Sequence, residues 1–286
     1  MAHEHAHPHG HIHAPHQHGS SQGLSEILDL DAEVAREQTA DLTARVAALA
    51  AHPVRHIVDV GSGTGAGTFA LLRRFPEATV TAVDTSDEML AHLTESAGRL
   101  GLAGRVRPLR ADLDEAWPAL DRADLVWASS AMHHMAEPGR VLRDIHATLS
   151  PAGLFVMLEM EHMPRFLPDS FGAGAEVRCH TLSEQARNEH LPHMGAPWPT
   201  LLKAAGFTVQ EERTLDVEIA APLPPLALRY ARAILQRFTV TLADRLSPAD
   251  QAALHELLTA TGPDALEHRP DLTVRSSRDV WITTRA

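Results

Sequence analysis

The chain has only one cysteine, Cys179, among its 286 residues. A single thiol forms no intrachain disulfide, so a reducing cytoplasm is the expected setting. No apolar run is long enough to span a bilayer. The first residues carry neither a basic stretch nor an apolar one, so no secretory signal is expected. Positive charge is also short. Arg and Lys total 25 against 37 Asp and Glu, for a formal charge of −12. That balance argues against a protein that grips nucleic-acid phosphates or an anionic membrane. The apolar fraction, 44%, is ordinary for a globular protein. The length suits one large domain or one domain with a substantial insertion.

Residues 56–72 read HIVDVGSGTGAGTFALL. The apolar run Ile57-Val58-Asp59-Val60 suits a buried parallel strand. Gly61, Gly63, Gly65 and Gly67 follow on alternate positions, and Phe69, Leu71 and Leu72 mark a helix. Strand, glycine turn and helix form a nucleotide-cofactor loop. Backbone without Cβ atoms can approach a ligand closely, and the helix start presents free N–H groups above the strand. Gly61-x-Gly63-x-x-Ala66, with Asp84 23 positions after Gly61, also satisfies the loose dinucleotide fingerprint. The glycines alone leave a nicotinamide and an S-adenosylmethionine cofactor both open.

Residues 1–20 are a histidine-rich, low-complexity tail. Imidazoles on alternate positions can bind Zn²⁺, Ni²⁺ or Cu²⁺, and the alternative is a tail without a catalytic role. Residues 25–50 show helical spacing of Ile27, Leu30, Val34, Leu42, Val46 and Leu49. A second strand over 78–83 ends at Asp84, which can take both hydroxyls of a ribose. Thr85-Ser86-Asp87 then caps a helix carrying Met89, Leu90 and Leu93. A third strand over 105–109 leads to Asp112 and Leu113, an acceptor and an apolar wall suited to adenine. A fourth over 124–128 is followed by Ser129-Ser130-Ala131-Met132-His133-His134, and a fifth covers 154–158. Strands alternating with helices predict a parallel α/β sheet covered on both faces. Asp59, Gly61, Asp84, Asp112, Ser129 and Glu159 all fall at carboxyl ends of strands, where such sheets bind ligands.

With these motifs in hand, the chain resembles the class I S-adenosylmethionine-dependent methyltransferases, over about residues 56–158 and again near the C-terminus. Asp59-x-Gly61-x-Gly63-x-Gly65 resembles the family's first motif, and Val83-Asp84-Thr85-Ser86 with Met89-Leu90 its second-strand motif. Ala111-Asp112-Leu113 matches the adenine position, and the segment from Ser129 resembles Asn-x-x-Leu-His-His of small-molecule enzymes. Leu149-Ser150-Pro151-Ala152-Gly153 resembles the Leu-x-Pro-Gly-Gly turn, and Ala205-Gly206-Phe207 the approach to the sixth strand. Serine replaces asparagine at 129, and alanine replaces the turn's first glycine at 152.

The resemblance implies a Rossmann-like, seven-stranded, mostly parallel sheet with helices on both faces and an antiparallel last strand, over 279–284. It implies one domain, 21–286, with helical lid insertions at about 161–199 and 222–270. S-adenosyl-L-methionine is the implied cofactor. Asp59, Gly61, Ser62, Gly63, Gly65, Asp84, Thr85, Met89, Asp112, Leu113, Ser129 and His134 are the positions implied to hold it. His133 and His134 are candidate bases, with positioning or packing as the other reading. Glu159, Glu161 and His162 leave strand five toward the same mouth, either to bind a polar acceptor or to be solvated. The lid carries Arg178, His180, His190, His193 and Trp198, without the spacing of a metal site. A small-molecule acceptor is expected, with O- or N-methylation ahead of C-methylation. The amphipathic stretch 226–246 can close the lid or bury its face in a homodimer. Two other readings are a nicotinamide oxidoreductase and a metal-handling protein using the tail.

Overall fold

The computed structural model describes residues 21–285 apart from 161, 192, 263 and 264. The histidine-rich tail and Glu161 therefore lie outside the described residues. Seven strands form one sheet: β1 (His56–Val60), β2 (Thr79–Asp84), β3 (Val106–Arg110), β4 (Ala123–Ser129), β5 (Leu149–Glu159), β6 (Phe207–Ile219) and β7 (Val274–Arg285). Their order is β3-β2-β1-β4-β5-β7-β6. β1 to β5 pair in parallel, and β7 is antiparallel to both β5 and β6. The order reverses between β1 and β4, so a crevice is expected beyond their carboxyl ends. The seventh strand is longer than the sequence pattern suggested. It starts at Val274, because β6 pairs with it along its whole length.

Residues alternate between the two faces of each strand, so a central strand serves two cores. Ile57 joins Leu42, Val46, Leu71 and Leu72 on one face. These come from α2 (Arg36–Leu49) and α3 (Ala66–Arg74). Val58 and Val60 join Val141, Leu142, Ile145 and Leu202 on the other, from α5 (Pro138–Thr148) and α7 (Trp198–Ala204). The helix α4 (Asp87–Arg99) packs through Leu93 against Phe69 and Ala82.

A third core is built mainly from helices and also takes in Val217 of β6 and Val274 of β7. It gathers Ile27 and Leu30 from α1 (Ser21–Val34), Cys179 from α6 (Ala175–Asn188), Tyr230 and Phe238 from α8 (Pro225–Thr241) and Leu254 from α9 (Pro248–Thr259). The two insertions thus bring helices that pack on one another. Arg178 ties α6 to α9, its Nε 3.1 Å from both carboxylate oxygens of Asp250.

Two expectations need correction. The helical pattern over 25–50 is two helices that part at Ala35, where φ is −91° and ψ 14°. α1 packs into the third core and α2 under the sheet, so one straight rod cannot serve both. Trp198 falls in the lid segment by sequence, but it is buried on the face of the sheet, in one core with Leu202 and Trp281.

Candidate functional site

The glycine turn leaves β1 through three residues with positive φ: Gly61 at 65°, Gly63 at 51° and Gly65 at 94°. Space as well as backbone angle demands glycine at 61, where a Cβ would lie 2.5 Å from that of Ala131. The turn is held from below and from the side. Buried Asp59 accepts from the Thr68 hydroxyl at 2.6 Å, pinning the first turn of α3 to β1. Burial pushes the Asp59 carboxyl up to about 7 against the lowering bond from Thr68. Asp84 Oδ2 accepts from Gly63 N at 2.8 Å, and its Oδ1 accepts from Ser86 N at 2.9 Å. Ser86 in turn caps α4, accepting from Met89 N at 3.3 Å. Ser62 Oγ is buried and lacks a partner among the described residues.

The other strand ends connect to this turn. Ala111 N donates to Asp84 O at 3.0 Å, which seats the 111–113 segment beside β2. Leu113 is buried, whereas Asp112 is exposed and accepts from Asp114 N at 2.9 Å. Thr85 is exposed and Met89 buried. Ser129 closes β4, half-buried. Ser130, which sequence reasoning passed over, sits at φ 51°, a strained angle for a residue with a side chain. It donates its N–H to Leu158 O at 2.8 Å, so the chain bends sharply at the mouth.

That bend delivers residues 132–134 to the end of β5. Glu159, buried at 4% exposure, accepts from Met132 N at 2.8 Å through Oε1. Its Oε2 lies 2.5 Å from His133 Nδ1. Glu159 is therefore neither solvated nor free to meet a polar acceptor, as the sequence had left open. Its carboxylate fixes the ring plane of buried His133 and leaves Nε2 without a partner among the described residues. His134 stacks on His133, with ring centroids 4.2 Å apart. The residue is exposed, and its titration is pushed down to about 4, by desolvation first and by His133 second.

One further neighbour had no signal in the sequence. Leu28 of α1 approaches the turn, with its Cδ1 3.6 Å from where a Gly63 Cβ would stand. Polar contacts help to hold α1 there. Asp29 meets His92 at 2.8 Å, Asp31 accepts from Tyr230 Oη at 2.6 Å, and buried Arg278 Nη2 reaches Asp31 at 2.5 and 2.6 Å. His162 Nδ1 lies 2.9 Å from Glu184 Oε1 on α6. Among the described residues, no three His, Cys, Asp or Glu side chains converge as a metal site. No helix among them is long and apolar enough to cross a membrane.

Residues 57–153 match the family model described as a methyltransferase domain. That match covers 97 of the 286 residues. The match runs from β1 to the turn inside β5, which holds the glycine turn and Asp84, Asp112, Ser129 and His133. Among curated proteins, the chain is 33% identical over 133 residues to a malonyl-(acyl-carrier protein) O-methyltransferase of Laribacter hongkongensis. That match covers 44% of each chain. It is 31% identical over 161 residues to a trans-aconitate 2-methyltransferase of Delftia acidovorans, covering 50% of this chain and 56% of that one. The chain spans about half the length of these relatives. Among solved structures, the 4+2 cyclase SpnF superposes with a TM-score of 0.52 at 20% identity, over 92% of this chain and 94% of that one. The chain thus shares its fold with a protein described by another reaction, and the fold alone does not name the chemistry.

Proposed function

We propose that the chain is an S-adenosyl-L-methionine-dependent methyltransferase that moves a methyl group to oxygen or nitrogen of a small-molecule acceptor. The observation that carries this reading is the junction at the switch point of the sheet. There a glycine turn tied to Asp84 stands beside a buried His133–Glu159 pair. The named activities of the two curated relatives, both small-acid or acyl methyltransferases, point the same way.

The residues present fit the cofactor. Gly61 and Gly63 let backbone lie where a side chain would intrude, unpartnered Ser62 Oγ offers a polar contact, and Asp84 is an acceptor for ribose hydroxyls. Leu113 offers an apolar wall for adenine, Asp112 an acceptor, and Ser129, Thr85, Met89 and His134 complete the ring. Buried Asp59 supports the turn from beneath. When bound, the sulfonium supplies an already activated methyl group. The protein then has to align the acceptor, exclude water and receive a proton. Alignment contributes on the order of 7–11 kcal/mol in favourable cases.

In this reading His133 receives that proton. Glu159 holds Nδ1, so the lone pair of Nε2 faces away from the carboxylate and is free for an acceptor hydroxyl or amine. The helices of 161–199 and 222–270, with α1 over Gly63, form the cover that keeps water out.

The test is thermal. S-adenosylhomocysteine should raise the melting temperature, and NAD should leave it unchanged. A clear shift with NAD and none with S-adenosylhomocysteine would replace this reading with the oxidoreductase one. A screen for small molecules that gain one methyl mass then identifies the acceptor.

A further inference from the structure

The cover over the proposed site holds a group of buried donors that nothing among the described residues satisfies. On α6, Glu176, His180, Glu184 and Arg187 follow one another at helical spacing, so they share one face. His180 is 2% exposed, and both its ring nitrogens lack a partner among the described residues. Its Nε2 stands 4.0 Å from Glu176 Oε1, too far for a hydrogen bond. Glu176 is already taken, accepting from Phe166 N and Leu167 N at 2.8 Å each. Arg187 Nε is buried and unpartnered among the described residues, as is Arg275 Nε on β7. Arg275 spends its Nη2 on Leu167 O, 2.7 Å away. Among the described residues, Glu184 meets His162 at 2.9 Å and Asp169 lies 3.9 Å from Arg165.

Interior polar atoms are almost always bonded, so three side chains with orphaned donors in one region call for a missing acceptor. The His180 ring packs on Phe238, with centroids 5.3 Å apart at 74°, a contact that supplies neither nitrogen with a hydrogen-bond partner. Burial first, and then the charges of Arg165, Arg187, His162 and Arg275, push the titration of His180 down to about 4, so positive charge is crowded around a neutral ring. A bound anion would resolve both the orphaned donors and the like-charge crowding.

The position suits one end of an acceptor. Glu159, which orients His133, pairs with Asp279, so both side chains share a face of the sheet. Arg275 is four residues from Asp279 on β7 and therefore keeps that face, beyond the carboxyl end of β5. His162 follows Glu159 by three residues, about 10 Å of chain at most. It contacts Glu184, which lies between His180 and Arg187 on the α6 face.

We propose that His180, Arg187 and Arg275 bind a carboxylate of the acceptor, so that the substrate is a small organic acid held by one end while its other end meets His133. This rests on the methyltransferase reading above. It assigns residues of the cover to substrate choice, and it lies outside the segment matched by the methyltransferase-domain family.

The experiment uses the full chain saturated with S-adenosylhomocysteine, titrated calorimetrically with succinate, citrate, dimethyl succinate and inorganic phosphate. The acids should bind and the ester should not. Arg187→Gln and His180→Phe should each weaken acid binding about tenfold or more, with S-adenosylhomocysteine affinity unchanged. Arg187 is only half-buried, so its variant decides the matter if His180→Phe fails to fold. Three results overturn the proposal: no acid binding to the loaded protein, acid binding unaffected by Arg187→Gln, or phosphate binding better than either acid. Failure to bind S-adenosylhomocysteine at all would instead remove the parent reading.

Discussion

His133 Nδ1 sits 2.5 Å from Glu159 Oε2, with both side chains almost wholly dry. A carboxylate in this position selects the ring orientation and leaves the far nitrogen for chemistry. Replacing His133 with Ala should lower kcat for the identified acceptor by about 10²- to 10⁴-fold, while S-adenosylhomocysteine affinity stays within a few fold. Glu159→Gln should lower kcat less, because an amide still accepts from Met132 N or His133. Unchanged turnover in His133→Ala, measured by methyl-transfer initial rates, would remove the base assignment.

Asp84 holds two backbone donors, Gly63 N and Ser86 N. Asp84→Ala removes both bonds and the acceptor proposed for the ribose. Charge-assisted bonds of this kind contribute about 1.5–3 kcal/mol each. Calorimetry should therefore show S-adenosylhomocysteine affinity falling by about 10- to 100-fold. Circular dichroism should show a chain that is still folded.

Two glycines separate crowding from backbone strain. Gly61 and Gly101 both hold positive φ, at 65° and 69°. A Cβ at 61 would strike Ala131 at 2.5 Å, whereas at 101 it would meet nothing within 4 Å. Gly101→Ala should cost about 1–2 kcal/mol in urea unfolding. Gly61→Ala adds an overpacking penalty of about 1–3 kcal/mol, and it should also weaken cofactor binding, because Gly61 and Ala131 join β1 to the His133 loop. Equal losses at the two sites would show that contact with Ala131 does not matter.

Asp59 supplies a pH signature. Burial raises its carboxyl from 3.8 to about 7, so the folded state holds a proton that the unfolded chain gives up earlier. The resulting stability is full below pH 3.8 and drains away as pH rises toward about 7. Three pKa units correspond to at most about 4 kcal/mol. Asp59→Asn should remove this dependence. The difference in unfolding free energy between variant and parent should shift in the variant's favour between pH 4 and pH 8. A difference that stays flat across that range would contradict the assignment.

Asp31 anchors α1 above the glycine turn through Tyr230 and Arg278. Asp31→Ala would leave Arg278, 8% exposed, without its counterion. Losing one partner of a buried pair typically costs about 3–5 kcal/mol, and the partial exposure of Asp31 lowers that to about 2–4 kcal/mol. Release of S-adenosylhomocysteine in stopped flow should also accelerate, because Leu28 would no longer be held over Gly63. A lower melting temperature with no change in release rate would mean that α1 is structural only.

Much of the architecture was legible along the chain because it is encoded locally. The run 57–60, the alternating glycines and the acids at 84 and 112 each announce a strand end within a few residues. The structure gathers those ends through backbone bonds such as Gly63 to Asp84 and Ala111 to Asp84. The break at Ala35 was not legible, since both halves of 25–50 keep helical spacing and only their separate cores part them. Trp198 likewise reads as any apolar residue of the insertion until the sheet claims it.

Periodicity and turn chemistry were enough to establish a doubly covered α/β sheet and to mark which strand tips face the crevice, because those properties depend on neighbours in sequence. Pairing between distant side chains was a matter for the assembled molecule. Glu159 meets His133 across 26 residues, and Arg278 meets Asp31 across 247. Strand order and register set such distances. That is why the orientation of the imidazole, the placing of α1 over the turn and the grouping of His180, Arg187 and Arg275 emerged only in three dimensions.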